Sequence, residues 1–234
     1  MNKDLEFLTR VIDEKSAKIL DANDKIWEYA ELAFHETKSA ALLKSILKEE
    51  GFALTEGDAG IPTCFTGTFS YGTGKPVMGI LGEYDALSSL SQKAADPHKE
   101  PLKEGAPGHG CGHNLLGTGS VAAAIAVKEY LEKNQKEGTV VFFGCPGEEG
   151  GSGKAFMAKG GVFANLDAAI TWHPGDLTQA DTGSSLANYQ VAYKFYGKSA
   201  HAGGAPHLGR SALDALELMN MGVQFLSSSA SRAL

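Results

Sequence analysis

Residues 114–153 read "NLLGTGSVAAAIAVKEYLEKNQKEGTVVFFGCPGEEGGSG". The first part is apolar on most faces at helical spacing and turns polar toward "KEYLEKN". That is the pattern of a helix buried at its start and solvated at its end. "TVVFFGCP" then switches to a short unbroken apolar run, as expected of a strand covered on both faces. A glycine-rich loop, "GEEGGSG", closes the unit.

The same alternation continues on both sides. Upstream, "PVMGILGEYDAL" (76–87) opens with another apolar run; downstream, "KAFMAKGG" (154–161) reads as a helix and "LDAAITWHP" (166–174) as a strand. Strands alternating with helices predict an α/β fold, a layered domain with a mostly parallel central sheet flanked by helices. The first fifty residues read as helix, with Leu5, Leu8, Val11 and Ile12, then Ile26, Tyr29 and Ala30, at helical spacing. A further helix, "TKSAALLKSILKEEG", stops at Gly51. "CFTGTFSYG" (64–72) alternates like a half-buried strand. Near residue 185 the pattern changes. "SLANYQVAYKFYG" (185–197) reads as an alternating strand, followed by the loop "KSAHAGGAPHLG", the helix "RSALDALELMNMGVQFL" and a frayed tail, "SSSASRAL" (227–234). The expected domains are therefore residues 1–185 and a smaller α+β module, 186–234.

Composition narrows the function. The chain has 28 acidic and 21 basic residues and a formal net charge of −7. That disfavours nucleic acid and anionic membranes as partners, because both need a basic face. No window approaches the apolar length of a membrane span. The N-terminus carries acids where a signal peptide would be apolar. Three cysteines, Cys64, Cys111 and Cys145, do not make a disulfide framework. A cytoplasmic location is the expectation.

Each candidate strand ends in residues capable of chemistry. The run at 77–81 leads to Glu83 and Asp85, "TVVFFGCP" to Glu148 and Glu149, and "AAITW" to His173. "GHGCGHN" (108–114) puts Cys111 and His113 at the start of the helix between two of these strands. In open α/β sheets, ligands bind beyond the carboxyl ends of the strands. Taken singly, Glu148 and Glu149 read as a solvated turn, and His173 as a satisfied core histidine. Together, one thiol, two imidazoles and two carboxylates are an ordinary zinc or manganese ligand set. A helix N-terminus is expected to lower the Cys111 thiol pKa and so favour the metal-binding thiolate. Two tempting motifs fail. "GHGCGH" is not a dinucleotide fingerprint, since His113 stands at its third glycine. "GEEGGSGKA" is not a phosphate loop, since its spacing is too long and Ala155 replaces the required hydroxyl.

"GEYDAL", "GHGCGHNLLGT", "GCPGEEGGSGKAFM", "AAITWHP" and "SAHAGGAPHLGRSALDA" follow one another as in the metal-dependent amidohydrolases related to aminoacylase, carboxypeptidase and hippurate hydrolase. The resemblance spans roughly residues 20 to 226. It implies a catalytic α/β domain with an inserted lid and dimerisation domain, and two divalent ions, Zn or Mn. Cys111, His113, Glu149 and His173 match the family's metal ligands. Glu148 matches its catalytic base, and Asp85 the acid that supports the metal site. His201 matches the lid histidine that the family supplies to the active site of a partner chain. The implied reaction is hydrolysis of an amide bond in an N-acyl amino acid or dipeptide-like small molecule, with aminobenzoyl-glutamate favoured. The implied assembly is a homodimer, or a heteromer with a related chain, formed through the lid domain. Arg210 has two readings: a bidentate partner for a substrate carboxylate, or a solvated residue at a helix start.

The sequence departs from the family in one respect. Members are much longer, and their returning segment supplies a last histidine ligand. Here no histidine follows His207. The chain is thus expected to be truncated and impaired in isolation. Two rival readings follow: Cys111 as a nucleophile with a histidine base, and a truncated, non-catalytic subunit that binds a full-length partner.

Overall fold

The structure, a computed structural model, describes residues 2–230 apart from 181–183, 185 and 188. The chain divides into two units, Met1–Asp181 and Thr182–Leu234.

The first unit begins with helices α1 (Lys3–Tyr29) and α2 (Thr37–Glu49). The Asn2 side chain caps α1 by accepting from the Asp4 amide, and Asp4 and Glu6 lie in its first turn, where the helix dipole favours negative charge. Strands β1 (Ala53–Glu56), β2 (Phe65–Tyr71) and β3 (Val77–Gly82) follow, then α3 (His113–Asn134), β4 (Gly138–Gly144), α4 (Gly153–Lys159) and β5 (Ala168–Ile170). The sheet order is β1-β2-β4-β3-β5.

The expected mostly parallel sheet is corrected to an evenly mixed one. β3 pairs parallel with β4 and with β5, but β2 pairs antiparallel with both β1 and β4. The cause lies in the connections. No helical crossover separates β1 from β2, or β2 from β3, so the chain reverses at each of these links. Only from β3 onward do α3 and α4 serve as crossovers and keep the strands parallel.

β4 is buried along its whole length, which explains its unbroken apolar run. Val140 and Phe142 enter one core with Leu43, Leu47, Phe65, Val121 and Ile125, under α1, α2 and α3. Val141 and Phe143 point to the other face, with Cys64, Cys145 and Met157 of α4. The two-residue period of the strand thus divides one apolar run between two layers.

In the second unit, α5 runs Ala212–Ala230. The strand expected over 185–197 is not formed among the described residues. An alternating segment needs a neighbouring strand to complete its hydrogen bonds, and here the backbone pairing is a single bridge from Lys198 to Arg210. Residues 185 and 188 of that segment lie outside the described residues. The expected frayed tail is instead helical through Ala230, and 231–234 lie outside the described residues. No helix among the described residues is long and apolar enough to cross a membrane.

Candidate metal centre

Because β3, β4 and β5 are mutually parallel, their C-terminal ends open on one rim. Register sets the ends level, with Gly82 opposite Gly144. Past β3 come Glu83 and Asp85, past β4 Glu148 and Glu149, past β5 His173. α3 starts at this rim with His113, after Gly112 at φ 85°, a left-handed conformation that glycine adopts without strain. Gly117 lets the helix lie against the strand end: a Cβ there would sit 2.6 Å from the Glu83 carbonyl oxygen.

His113 is the hub. Its Nδ1 lies 2.9 Å from Asp85 Oδ1, and a carboxylate only accepts, so Nδ1 carries hydrogen. Its Nε2 faces Glu83 Oε2 at 2.9 Å, Glu148 Oε2 at 3.9 Å and Glu149 Oε1 at 4.0 Å. Burial works against a charged ring, but Asp85 and Glu83 on either side outweigh it and push the imidazole up to about 10. Glu83 answers in kind. Its burial is overcome by His113 and Lys154, which hold the carboxyl down at about 2. Lys154 Nζ sits on Glu83 Oε1. The other oxygen of Asp85 accepts from the Glu149 amide at 2.8 Å, tying the β3 end to the β4 loop.

Cys111 Sγ lies 3.2 Å from His173 Nε2. His173 Nδ1 donates to the Pro174 carbonyl at 2.9 Å, which leaves the Nε2 lone pair toward the sulfur. The rings of His113 and His173 meet edge to face at 5.7 Å. The expected lowering of the Cys111 pKa is reversed: burial first, then Glu149, Glu148 and Glu83, push the thiol up to about 11. Carboxylates close by outweigh the partial charge of one helix end. The Glu148 carboxyl is also raised, by burial and by Glu83.

These residues fit a metal. The ligand atoms of Cys111, His113 and His173 lie within 4.8 Å of one another, and so do those of Glu83, His113 and Glu148. Three buried atoms of the cluster, Glu83 Oε2, His113 Nε2 and Glu149 Oε1, have no hydrogen-bond partner among the described residues. Buried polar atoms without partners are costly, and two of the three, on Glu83 and His113, belong to residues of these groups.

Two further sequence candidates, His201 and Arg210, are described within their own unit. His201 belongs to the second unit, where its Nδ1 accepts from the amides of Gly203 at 3.2 Å and Gly204 at 2.8 Å. Arg210 Nη1 donates to the carbonyls of His207 and Gly209. His109, the other imidazole of "GHGCGHN", turns away from the centre. Its Nε2 lies 3.0 Å from the Ile26 carbonyl, and its ring stacks on Trp27. Two further residues shape the site without belonging to the ligand set. Lys154 clamps Glu83. Glu36, fully buried, accepts from the amides of Phe34 and Gly147 and from the Thr63 hydroxyl, and so fixes the start of the Glu148–Glu149 loop. Their charge inside otherwise structured stretches was the available signal.

The chain is 48% identical over 227 residues to one of the subunits of p-aminobenzoyl-glutamate hydrolase from Escherichia coli, covering 97% of this chain and 47% of that protein. It is 31% identical over 221 residues to human Xaa-Arg dipeptidase, covering 88% and 47%. The chain thus spans about half the length of the curated relatives it matches. The crystal structure of a dinuclear metal binding peptidase from Bacillus subtilis superposes with a TM-score of 0.53 at 23% identity, over 72% of this chain and 43% of that one. The sequence pattern of peptidase family M20/M25/M40 matches residues 79–230, a span that begins in β3 and takes in every residue of the rim from Glu83 to His173, and the chain belongs to that family.

Proposed function

We propose that this chain carries the metal site of an amidohydrolase acting on an N-acyl amino acid or dipeptide-like substrate, with p-aminobenzoyl-glutamate favoured. The observation that carries the reading is the convergence of one thiol, two imidazoles and a set of carboxylates on a rim where buried acceptor and donor atoms lack partners. The 48% identity to a hydrolase named for that substrate supports the choice.

Cys111, His113, Glu149 and His173 would hold two divalent ions, zinc or manganese. When bound, such ions supply Lewis acidity and bring the pKa of water toward neutrality. Asp85 keeps hydrogen on His113 Nδ1, so that Nε2 is the nitrogen offered to the ions. Glu148 is the proton carrier. It takes a proton from the attacking water and returns it to the leaving amine, and its raised pKa makes it a stronger base than an exposed glutamate. His201 is suited to stabilising an anionic oxygen. With Nδ1 held as an acceptor by two amides, a neutral ring carries its hydrogen on Nε2. By the family resemblance it would serve the site of a partner chain, in a homodimer or with a related protein.

The test is release of p-aminobenzoate from p-aminobenzoyl-glutamate by the chain supplied with Zn²⁺ or Mn²⁺, alone and mixed with a related family member. Metal binding on the same sample is followed by calorimetry. Cleavage that chelation abolishes supports the reading. Failure to bind either ion sinks it.

A further inference from the structure

Glu83 stands apart from the four ligands that the family resemblance assigns. It follows β3 directly and is 7% exposed. Its two oxygens are treated differently. Oε1 is taken by the Lys154 ammonium. Oε2 is buried, close to His113 Nε2 at 2.9 Å, yet makes no hydrogen bond. Glu83 also joins His113 and Glu148 in a group whose ligand atoms lie within 4.8 Å. The two groups also differ in kind: Cys111, His113 and His173 offer sulfur and nitrogen, whereas Glu83 and Glu148 add hard oxygen.

We infer that Glu83 is a further cation-facing carboxylate of this centre, presenting Oε2 beside His113 and Glu148, and that Lys154 is the positioning residue that holds Oε1 and turns Oε2 inward. The inference rests on the metal-centre reading. It has a chemical consequence. A carboxylate and imidazole set suits manganese, and a thiolate and imidazole set suits zinc or cobalt. Removing the Glu83 charge should therefore weaken Mn²⁺ binding while sparing the ion that Cys111 holds. Lys154 is what makes a single inward oxygen possible, because without it both oxygens of a buried carboxylate would seek partners.

The experiment titrates the chain with MnCl₂ and follows free Mn²⁺ by electron paramagnetic resonance. In parallel, Co²⁺ is added and the thiolate-to-cobalt absorption band reports on Cys111. Glu83→Gln should weaken Mn²⁺ binding about tenfold or more, with the cobalt–thiolate band kept at parental intensity. The double variant Glu83→Gln with Lys154→Gln removes the ion pair as a unit and strands neither charge, so it must show the same loss. It keeps the test decisive where the single variant folds poorly. Parental Mn²⁺ affinity in either folded variant overturns the role of Glu83 and leaves the metal centre standing. A parent chain that binds neither ion overturns the centre itself.

Discussion

The backbone amide of Glu149 donates to Asp85 Oδ2 at 2.8 Å, while Asp85 Oδ1 takes the Nδ1 hydrogen of His113 at 2.9 Å. One carboxylate therefore fixes both the orientation of an imidazole and the position of the loop that carries Glu148. Asparagine at this position accepts with one atom and donates with the other, so it must fail one of its two partners. Asp85→Asn is expected to weaken Zn²⁺ binding by about 10–100-fold, the usual cost of losing a residue that orients a ligand. Calorimetric titration of both proteins checks this, and equal affinities would show that Asp85 orients nothing.

Glu148 is half-exposed beside the cluster, with Oε2 3.9 Å from His113 Nε2. Its proposed work is proton transfer, so its removal should separate binding from turnover. In whichever assembly hydrolyses the amide, Glu148→Ala is expected to retain the ion beside Cys111 and His173 and to lose at least about 10²-fold in kcat. Metal content and kcat measured on one preparation decide it. Turnover within tenfold of the parent would remove Glu148 from the mechanism.

Much of this arrangement was legible in the sequence because the relevant patterns are local. "TVVFFGCP" is apolar without alternation because β4 is covered on both faces, and Cys111 and His113 stand at a helix start because α3 begins at His113. What escaped was set by contacts between distant segments. β2 lies antiparallel to β4, joined through pairs such as Phe65 with Gly144 that no local period encodes. A helix end alone predicts a lowered pKa for Cys111, yet burial first, and then Glu149, Glu148 and Glu83 from other strands, raise it. Lys154 reads only as the first residue of a short helix until the fold lays it on Glu83. Seven histidines do not announce which will join the cluster: His109 and His113 are four positions apart, and one bonds Ile26 while the other faces the carboxylates.

Glu50, just past α2, links that helix to α1 through Lys15 at 2.8 Å and Lys18 at 3.5 Å. Burial opposes ionisation of Glu50, but the two ammonium groups outweigh it and set its pKa below the ordinary 4.5. A carboxylate with a lowered folded pKa stabilises the fold above its unfolded pKa and loses that contribution as pH falls through the folded value. Glu50→Gln should therefore be less stable than the parent at pH 7, by about 1 kcal/mol or less. The gap should close as pH falls below about 4. Urea unfolding at pH 7 and pH 3 measures both. A gap that stays constant with pH would mean that the glutamate acts by packing alone.

Gly117 sets a steric test of the rim. Alanine is the better helix former by about 0.8–1 kcal/mol, so propensity alone would make Gly117→Ala stabilising. The added Cβ, however, would stand 2.6 Å from the Glu83 carbonyl oxygen, a backbone atom that cannot swing aside. Overpacking of this kind costs about 1–3 kcal/mol, enough to reverse the sign. Gly117→Ala should lower the urea midpoint and weaken metal binding together, since the strand end that moves carries Glu83. A raised midpoint with intact binding would show that α3 has room to shift.

Cys111 separates the metal centre from a cysteine nucleophile. A catalytic cysteine must be available as thiolate near neutral pH. Here the thiol is pushed up to about 11 by burial and by the surrounding carboxylates, well above its ordinary range. The metal-free chain should therefore alkylate with iodoacetamide at Cys111 about a hundredfold more slowly than a free cysteine at pH 7.5. The rate should climb with pH toward 11. Cys64 and Cys145, fully buried and pushed up to about 12, should react more slowly still. Peptide mapping of each site after timed alkylation gives the three rates. The same carboxylates that suppress the thiolate attract a divalent cation, and a bound cation draws off the thiol proton. Zn²⁺ added to an unbuffered sample should thus release acid, and Cys111→Ser should release less. Rapid modification of Cys111 at neutral pH, without acid release on adding Zn²⁺, would turn the reading from a ligand to a nucleophile.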